Sequence, residues 1–101
     1  MDIMEYLNRQ RDWSTKTFGD GKRAIGITDH IKKELSEILE DPYDLSEWID
    51  VIILALDGYW RYGGDNIMDD LVAKQDVNFS RTYEMPESDS HVSEHKRLAH
   101  E

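Results

Sequence analysis

Between Glu40 and Leu45 the chain places Pro42 and Asp44 in a connection too short to be anything but a turn, and a helix-patterned segment flanks it on each side. Upstream, Ile27, Ile31, Leu35, Ile38 and Leu39 form one apolar stripe at helical spacing, which predicts a helix from about Thr28, a good N-cap, to about Glu40. Downstream, Asp44-x-x-Glu47 has the form of a capping box. The apolar run "VIILAL" continues that helix to about Tyr62, where Gly63-Gly64 stops it. Two helices joined so tightly must run antiparallel. This hairpin is the centre around which the rest of the fold has to be arranged.

The remaining segments are helical too. Asp2-x-x-Glu5 and the recurrence of Ile3, Tyr6 and Leu7 predict a helix over about residues 2 to 14, and Ile67, Met68, Leu71 and Val72 predict another from about Asp65 to the late 70s. No stretch alternates apolar and polar residues with period two, so the expected class is all-α. The loop "TKTFGDGKRAIG" is glycine-rich and basic, but Gly21-Lys22 is followed by Arg23, with no glycine five residues before Gly21 and no strand upstream, so it is not a P-loop. Residues 1–83 read as one domain. Residues 84–101 read as a polar tail carrying Pro86, with a short helix around Val92 to Leu98.

Composition narrows the function. At 101 residues with 39% apolar content, the chain can build only a small core. "VIILAL" covers more than one helix face, so its helix is expected at the centre of the bundle or in a subunit interface. A net charge of -10 argues against a nucleic-acid polymer as partner. There is no run of about 18 apolar residues, and Met1 is followed by Asp2 and Glu5 rather than a basic leader, so a cytoplasmic protein without membrane partners is expected. With no Cys and only four His, metal ligation falls chiefly to carboxylates, which favours hard ions.

The carboxylates are arranged for such a role. Glu34 and Glu37 stand three residues apart on the first hairpin helix, and Glu47 and Asp50 on the second, so each pair projects from one face beside the apolar stripe. Asp57, two turns after Asp50, offers a further acid. Each acid taken alone is explained as helix-surface charge, and Glu47 as the third residue of its capping box. Together they are brought face to face by the hairpin. Two unit charges ~4 Å apart repel by roughly 4 kcal/mol at an effective dielectric of about 20, so a cation belongs between them. Lys or Arg would serve structurally, whereas an all-oxygen set suits Mg²⁺ or Mn²⁺ better. A ferritin-like di-iron centre needs Glu-x-x-His, which the chain lacks.

"HIKKELSEI" followed by "EWIDVIILALDG" resembles the E-x-x-E … E-x-x-D signature of the MazG-like all-α nucleoside triphosphate pyrophosphohydrolases, and most closely the small dATP/dGTP pyrophosphohydrolase subgroup found in phages. "WSTKTFGDGKRAIGITDHIKKEL" resembles that subgroup's lead-in, and Lys74-x-x-x-Asn78-x-x-Arg81 resembles the family's K-x-x-x-N-x-x-R element. The resemblance covers about residues 10 to 83. It implies a four-helix core of the MazG-like type, assembled as a homodimer or homotetramer. It also implies hydrolysis of a (d)NTP, in the host cytoplasm if phage-encoded, to the monophosphate and pyrophosphate. Glu34, Glu37, Glu47 and Asp50 would hold Mg²⁺, with Mn²⁺ able to substitute, and Lys74, Asn78 and Arg81 would meet the phosphates. Glu37, or else Glu34, would take the proton from the attacking water. Trp13 and Phe18 are the candidates for stacking on a purine, with His30 as a polar neighbour.

Two alternatives stay open at this level. Within the family, the chain could be the (d)GTP-consuming variant that serves phage 2-aminoadenine DNA synthesis. Outside it, the helices could form a non-catalytic oligomerisation or metal-binding module.

Overall fold

The computed structural model describes residues 1–81 and 85–86, so the short helix expected around Val92 to Leu98 lies outside the described residues. Four helices are present, α1 (Ile3–Phe18), α2 (Ala24–Glu40), α3 (Leu45–Arg61) and α4 (Ile67–Phe79), and the described residues contain no strand. The chain forms two compact units, Met1–Ile67 and Met68–Glu101. The first holds α1 to α3, and the second holds α4 beyond its first residue. No helix among the described residues is long and apolar enough to cross a membrane.

In the first unit α2 packs along α3, and α1 packs on α3. The turn of the hairpin is fixed by local polar contacts. The Tyr43 N–H donates to Asp41 Oδ1 (3.1 Å), and the Trp48 indole N–H donates to the Pro42 carbonyl (3.0 Å). Asp44 caps α3 by accepting from the Ser46 N–H (3.2 Å) and the Ser46 hydroxyl (2.6 Å). Its own N–H donates to the Asp41 carbonyl (3.1 Å). The reciprocal half of a capping box is therefore already filled, and the Glu47 side chain is released for another use. At the start of α1, Asp2 caps as expected by accepting from the Glu5 N–H.

Two boundaries differ from expectation. α1 continues to Phe18 instead of ending near Ser14, and stops at Gly19, whose φ of 83° is the left-handed turn that a side chain would resist. α2 begins at Ala24, not at Thr28. Its first turn is secured from a distance, because the Ala24 N–H donates to the Tyr62 hydroxyl (3.1 Å). Thr28, expected as the N-cap, lies inside the helix and donates its hydroxyl back to the Ala24 carbonyl (2.7 Å). The glycine-rich loop thereby shrinks to residues 19–23.

Among the described residues few apolar side chains are buried: Leu7, Ile27, Ile38 and Leu56. Buried beside them are Gln10, Ser14, Glu34, Asp57 and Arg61, so the interior of this unit is held by polar bonds as much as by packing. Arg61, its side chain fully enclosed, donates to Asp57 Oδ2 (3.1 Å), to the Ser14 hydroxyl (2.8 Å) and to the carbonyls of Gly19 (2.8 Å) and Gly21 (2.7 Å). Gln10 donates to Asp57 Oδ1 (3.1 Å) and accepts from the Trp60 indole N–H (2.7 Å). One guanidinium thus ties α1, the loop and α3 together. Leu35, Leu39, Trp48, Ile49 and Ile52 stay exposed on the hairpin.

Candidate metal centre and adjoining cavity

The hairpin brings Glu34 and Glu37 of α2 to Glu47 in the first turn of α3, with one carboxylate oxygen of each lying within 4.8 Å of the others. Glu34 is buried, and Glu37 and Glu47 are half-buried. Glu34 Oε1 meets His30 Nε2 at 3.1 Å, one turn back along α2. Its Oε2 and the Oε2 of Glu47 are buried without a hydrogen-bond partner among the described residues. A buried oxygen left unpartnered costs free energy unless something fills its coordination sphere.

The electrostatics of Glu37 and Glu47 are those of carboxyls held in close contact. Hydrogen bonding with Glu37, then with Glu34, pushes the Glu47 carboxyl up to about 7. Desolvation and the charges of both neighbours push in the same direction. The contact with Glu47, then that with Glu34, holds Glu37 below the usual carboxylate range. Among the described residues this is the group of acids close enough to hold a metal ion. Its all-oxygen character and two orphaned oxygens fit a hard divalent cation.

Glu34 also lines a cavity of about 290 Å³ that runs between the three helices of the first unit. Each helix contributes a stripe at helical spacing: Gln10, Trp13, Ser14 and Phe18 from α1, Gly26, Ile27, His30 and Glu34 from α2, and Asp50, Ile53, Leu54 and Asp57 from α3. Arg23, just before α2, completes the wall. Trp13, Phe18 and His30, singled out as base-contacting candidates, therefore converge on the cavity that Glu34 and Asp50 enter.

Three details refine the expected set. Trp13 and Phe18 meet edge to face, with ring centroids 5.6 Å apart and planes at 86°, so the two rings cannot both lie flat on one base. Asp50 is exposed, lines the cavity and stands outside the three-glutamate group. Asp57 stands outside that group as well, since its oxygens are engaged by Gln10 and Arg61. Burial pushes the Asp57 carboxyl up, but hydrogen bonds from Ser14, Gln10 and Arg61, with the Arg61 charge, outweigh it and hold the group below its ordinary value. Lys74 and Asn78 lie on α4, and Arg81 follows it in the second unit, where the Arg81 N–H donates to the Asn78 carbonyl (3.2 Å). All the residues lining the cavity come from the first unit.

Arg23, Gln10 and Ser14 were not among the residues expected at a site. The signal for Arg23 is its spacing of seven residues from His30 and eleven from Glu34, visible only once α2 is extended back to Ala24.

A family model described as dATP/dGTP pyrophosphohydrolase matches residues 6–100. No curated protein and no solved structure matches the chain.

Proposed function

Because the chain belongs to the dATP/dGTP pyrophosphohydrolase family, we propose that it hydrolyses a purine deoxynucleoside triphosphate to the monophosphate and pyrophosphate with Mg²⁺ or Mn²⁺. The observation that carries the metal-dependent part of this reading is Glu34, which belongs at once to the three-glutamate group and to the cavity wall, and has a buried oxygen without a partner among the described residues. Phosphates belong at that end of the cavity, and the base belongs among Trp13, Phe18 and His30.

Glu34, Glu37 and Glu47, with Asp50 from the cavity wall, would hold the cation. Once bound, the ion supplies Lewis-acid stabilisation of phosphoryl oxygens and a more acidic water. Glu37, kept ionised by its neighbours, accepts the proton of the attacking water at its carboxylate, and Glu34 is the second choice for that role. His30, bonded to Glu34 Oε1, fixes the orientation of that carboxylate. The apolar wall of Ile27, Ile53 and Leu54 limits competing water. The phosphate-contacting role of Lys74, Asn78 and Arg81 rests on the sequence resemblance. The exposed Leu35, Leu39, Trp48, Ile49 and Ile52 support assembly with further copies of the chain as a dimer or tetramer.

Incubation with each dNTP and Mg²⁺ tests the reaction, with pyrophosphate and the monophosphate as the expected products. Orthophosphate alone, or no turnover with any nucleotide, rejects it. Glu37→Gln and Asp50→Asn are expected to abolish turnover while keeping the helical circular-dichroism signal. Full activity in either variant removes the role assigned to that residue.

A further inference from the structure

We propose that Arg23 is the residue that selects the base, reading the O6/N7 acceptor edge of guanine and so favouring dGTP over dATP. This rests on the nucleotide reading above. Arg23 and Glu34, both lining the cavity, stand eleven residues apart along the chain, and the one acid beside Arg23, Asp57, already has its charge met by Arg61. Glu34 and Asp50 are acidic, whereas Arg23 brings its guanidinium to the aromatic end. Arg23, the residue before α2, and Ile27, His30 and Glu34 within it follow one another at spacings of four, three and four, which puts Ile27, His30 and Glu34 on one face of the helix with Arg23 at its start. With the phosphates drawn to the cation at the Glu34 end, the base reaches the Arg23 end.

The Arg23 guanidinium is held but not used up. Its carbon sits 4.6 Å from the centroid of the Phe18 ring, and Nη1 is 3.7 Å from Asp57 Oδ2, an ion-pair distance too long for a hydrogen bond. Asp57 already receives Gln10 and Arg61 at 3.1 Å each, so it anchors the Arg23 charge without consuming its donors. Gly26 is a neighbour, where an added Cβ would make only an ordinary contact, 3.8 Å from Nη2. The Arg23 side chain keeps about a third of its surface exposed (34%) and lines the cavity together with Gly26.

A planar fork of donors with no acceptor discriminates between purines by chemistry alone. Guanine offers two acceptors, O6 and N7, on one edge, whereas adenine sets an N6 amino donor beside N7 and meets the fork with like polarity. Because Arg23 occupies Phe18, Trp13 is left as the stacking surface for the base, consistent with the perpendicular arrangement of the two rings.

The test compares kcat/KM for dGTP and dATP in the full chain and in Arg23→Gln and Arg23→Lys. The unaltered protein is expected to prefer dGTP. Arg23→Gln is expected to shift the dGTP-to-dATP ratio towards dATP by roughly 5- to 150-fold, the range of one bidentate contact, since a glutamine amide pairs with the adenine N6/N7 edge. Arg23→Lys keeps the charge but loses the fork, so it too should lose the preference. 7-Deaza-dGTP, which lacks the N7 acceptor, should be a poorer substrate than dGTP only while Arg23 is present. An unchanged ratio in both variants overturns the proposal. So does an equal fall for both nucleotides, which would place Arg23 on phosphate or sugar. Absence of turnover in the unaltered protein defeats the parent reading and this one with it, a result distinct from turnover with an unaltered preference.

Discussion

Two acids of the same hairpin are almost equally buried and are treated in opposite ways. Asp57 receives donors at both oxygens, sits beside the enclosed guanidinium of Arg61, and is held ionised. Glu34 keeps one oxygen without a partner among the described residues and faces two more carboxyls, one of them pushed up to about 7. Burial alone therefore does not distinguish an acid that the fold completes from one that it leaves open. The distinction lies in whether the fold itself supplies the counter-charge. Asp57 is completed by the chain, so it helps to fasten α1 and the loop to α3, whereas Glu34 and Glu47 each keep a buried oxygen that no described residue completes, in a group that could hold a cation.

The largest effect comes from breaking the completed side. Arg61→Ala leaves Asp57 buried and uncompensated and frees the carbonyls of Gly19 and Gly21. The expected loss is about 3–5 kcal/mol of unfolding free energy, the usual cost of removing one partner of a buried pair. Asp57→Asn should be destabilising for the same reason, with the charge of Arg61 now left over. Urea titration in the presence of EDTA measures both. A loss below about 1 kcal/mol would show that the network is not what holds the loop. Glu47→Gln gives the opposite sign on the other side, since it removes one of three mutually repelling acids and leaves the cation-free protein at least as stable.

Much of this comparison is local and so could be read along the chain. The hairpin, the caps at Asp2 and Asp44, and the spacing of Glu34 and Glu37 each depend on residues a few positions apart, whereas Asp50, equally spaced from Glu47, stands outside the group that Glu47 joins. The completed side was legible only in part. Asp57 has the right spacing to join Asp50, and although its partner Arg61 lies only four residues on along α3, the contact from Gln10, 47 residues away, exists only in the folded unit. Arg61 reads as an ordinary last-turn cation of a helix, yet its side chain is wholly enclosed. The first turn of α2 was missed because it is stabilised by Tyr62, 38 residues away, where helix propensity carries no information. Trp13 and Phe18 were recognisable as residue types, but their perpendicular packing is a property of the folded unit.

Cation binding separates the two sides next. An ion that binds the folded chain alone stabilises it by about 2.7 kcal/mol at a free concentration 100 times its dissociation constant. Glu34→Gln should remove most of that gain, and Asp57→Asn should keep it. The pH dependence follows from the two shifts. Glu47 is raised from 4.5 to about 7, so the advantage of its folded-state proton is complete below 4.5 and is lost as pH rises through about 7. Asp57 is lowered, so its contribution is complete above its ordinary value of 3.8 and is lost as pH falls through the folded value below it. Thermal midpoints in EDTA should therefore decline from about pH 5 to pH 8, and saturating Mg²⁺ should flatten that decline by replacing the proton. A decline that Mg²⁺ leaves unchanged would detach the cation from the three glutamates.

The smallest effect concerns why Glu47 is free to join the acidic group at all. Its position three residues after Asp44 would ordinarily commit it to the helix start, reaching back to the Asp44 N–H. That N–H is instead given to the Asp41 carbonyl, and Ser46 supplies both donors to the Asp44 carboxylate. Asp44→Ala should then cost about 1 kcal/mol, the usual loss of a side-chain cap, with cation binding weakened only through the fraying of the first turn of α3. Glu47→Ala should cost no capping energy but should abolish the stabilisation by Mg²⁺. If instead the two substitutions destabilise the cation-free protein equally, Glu47 is spent on the cap. The glutamates would then be helix-surface charge, and the contrast with Asp57 would lose its functional meaning.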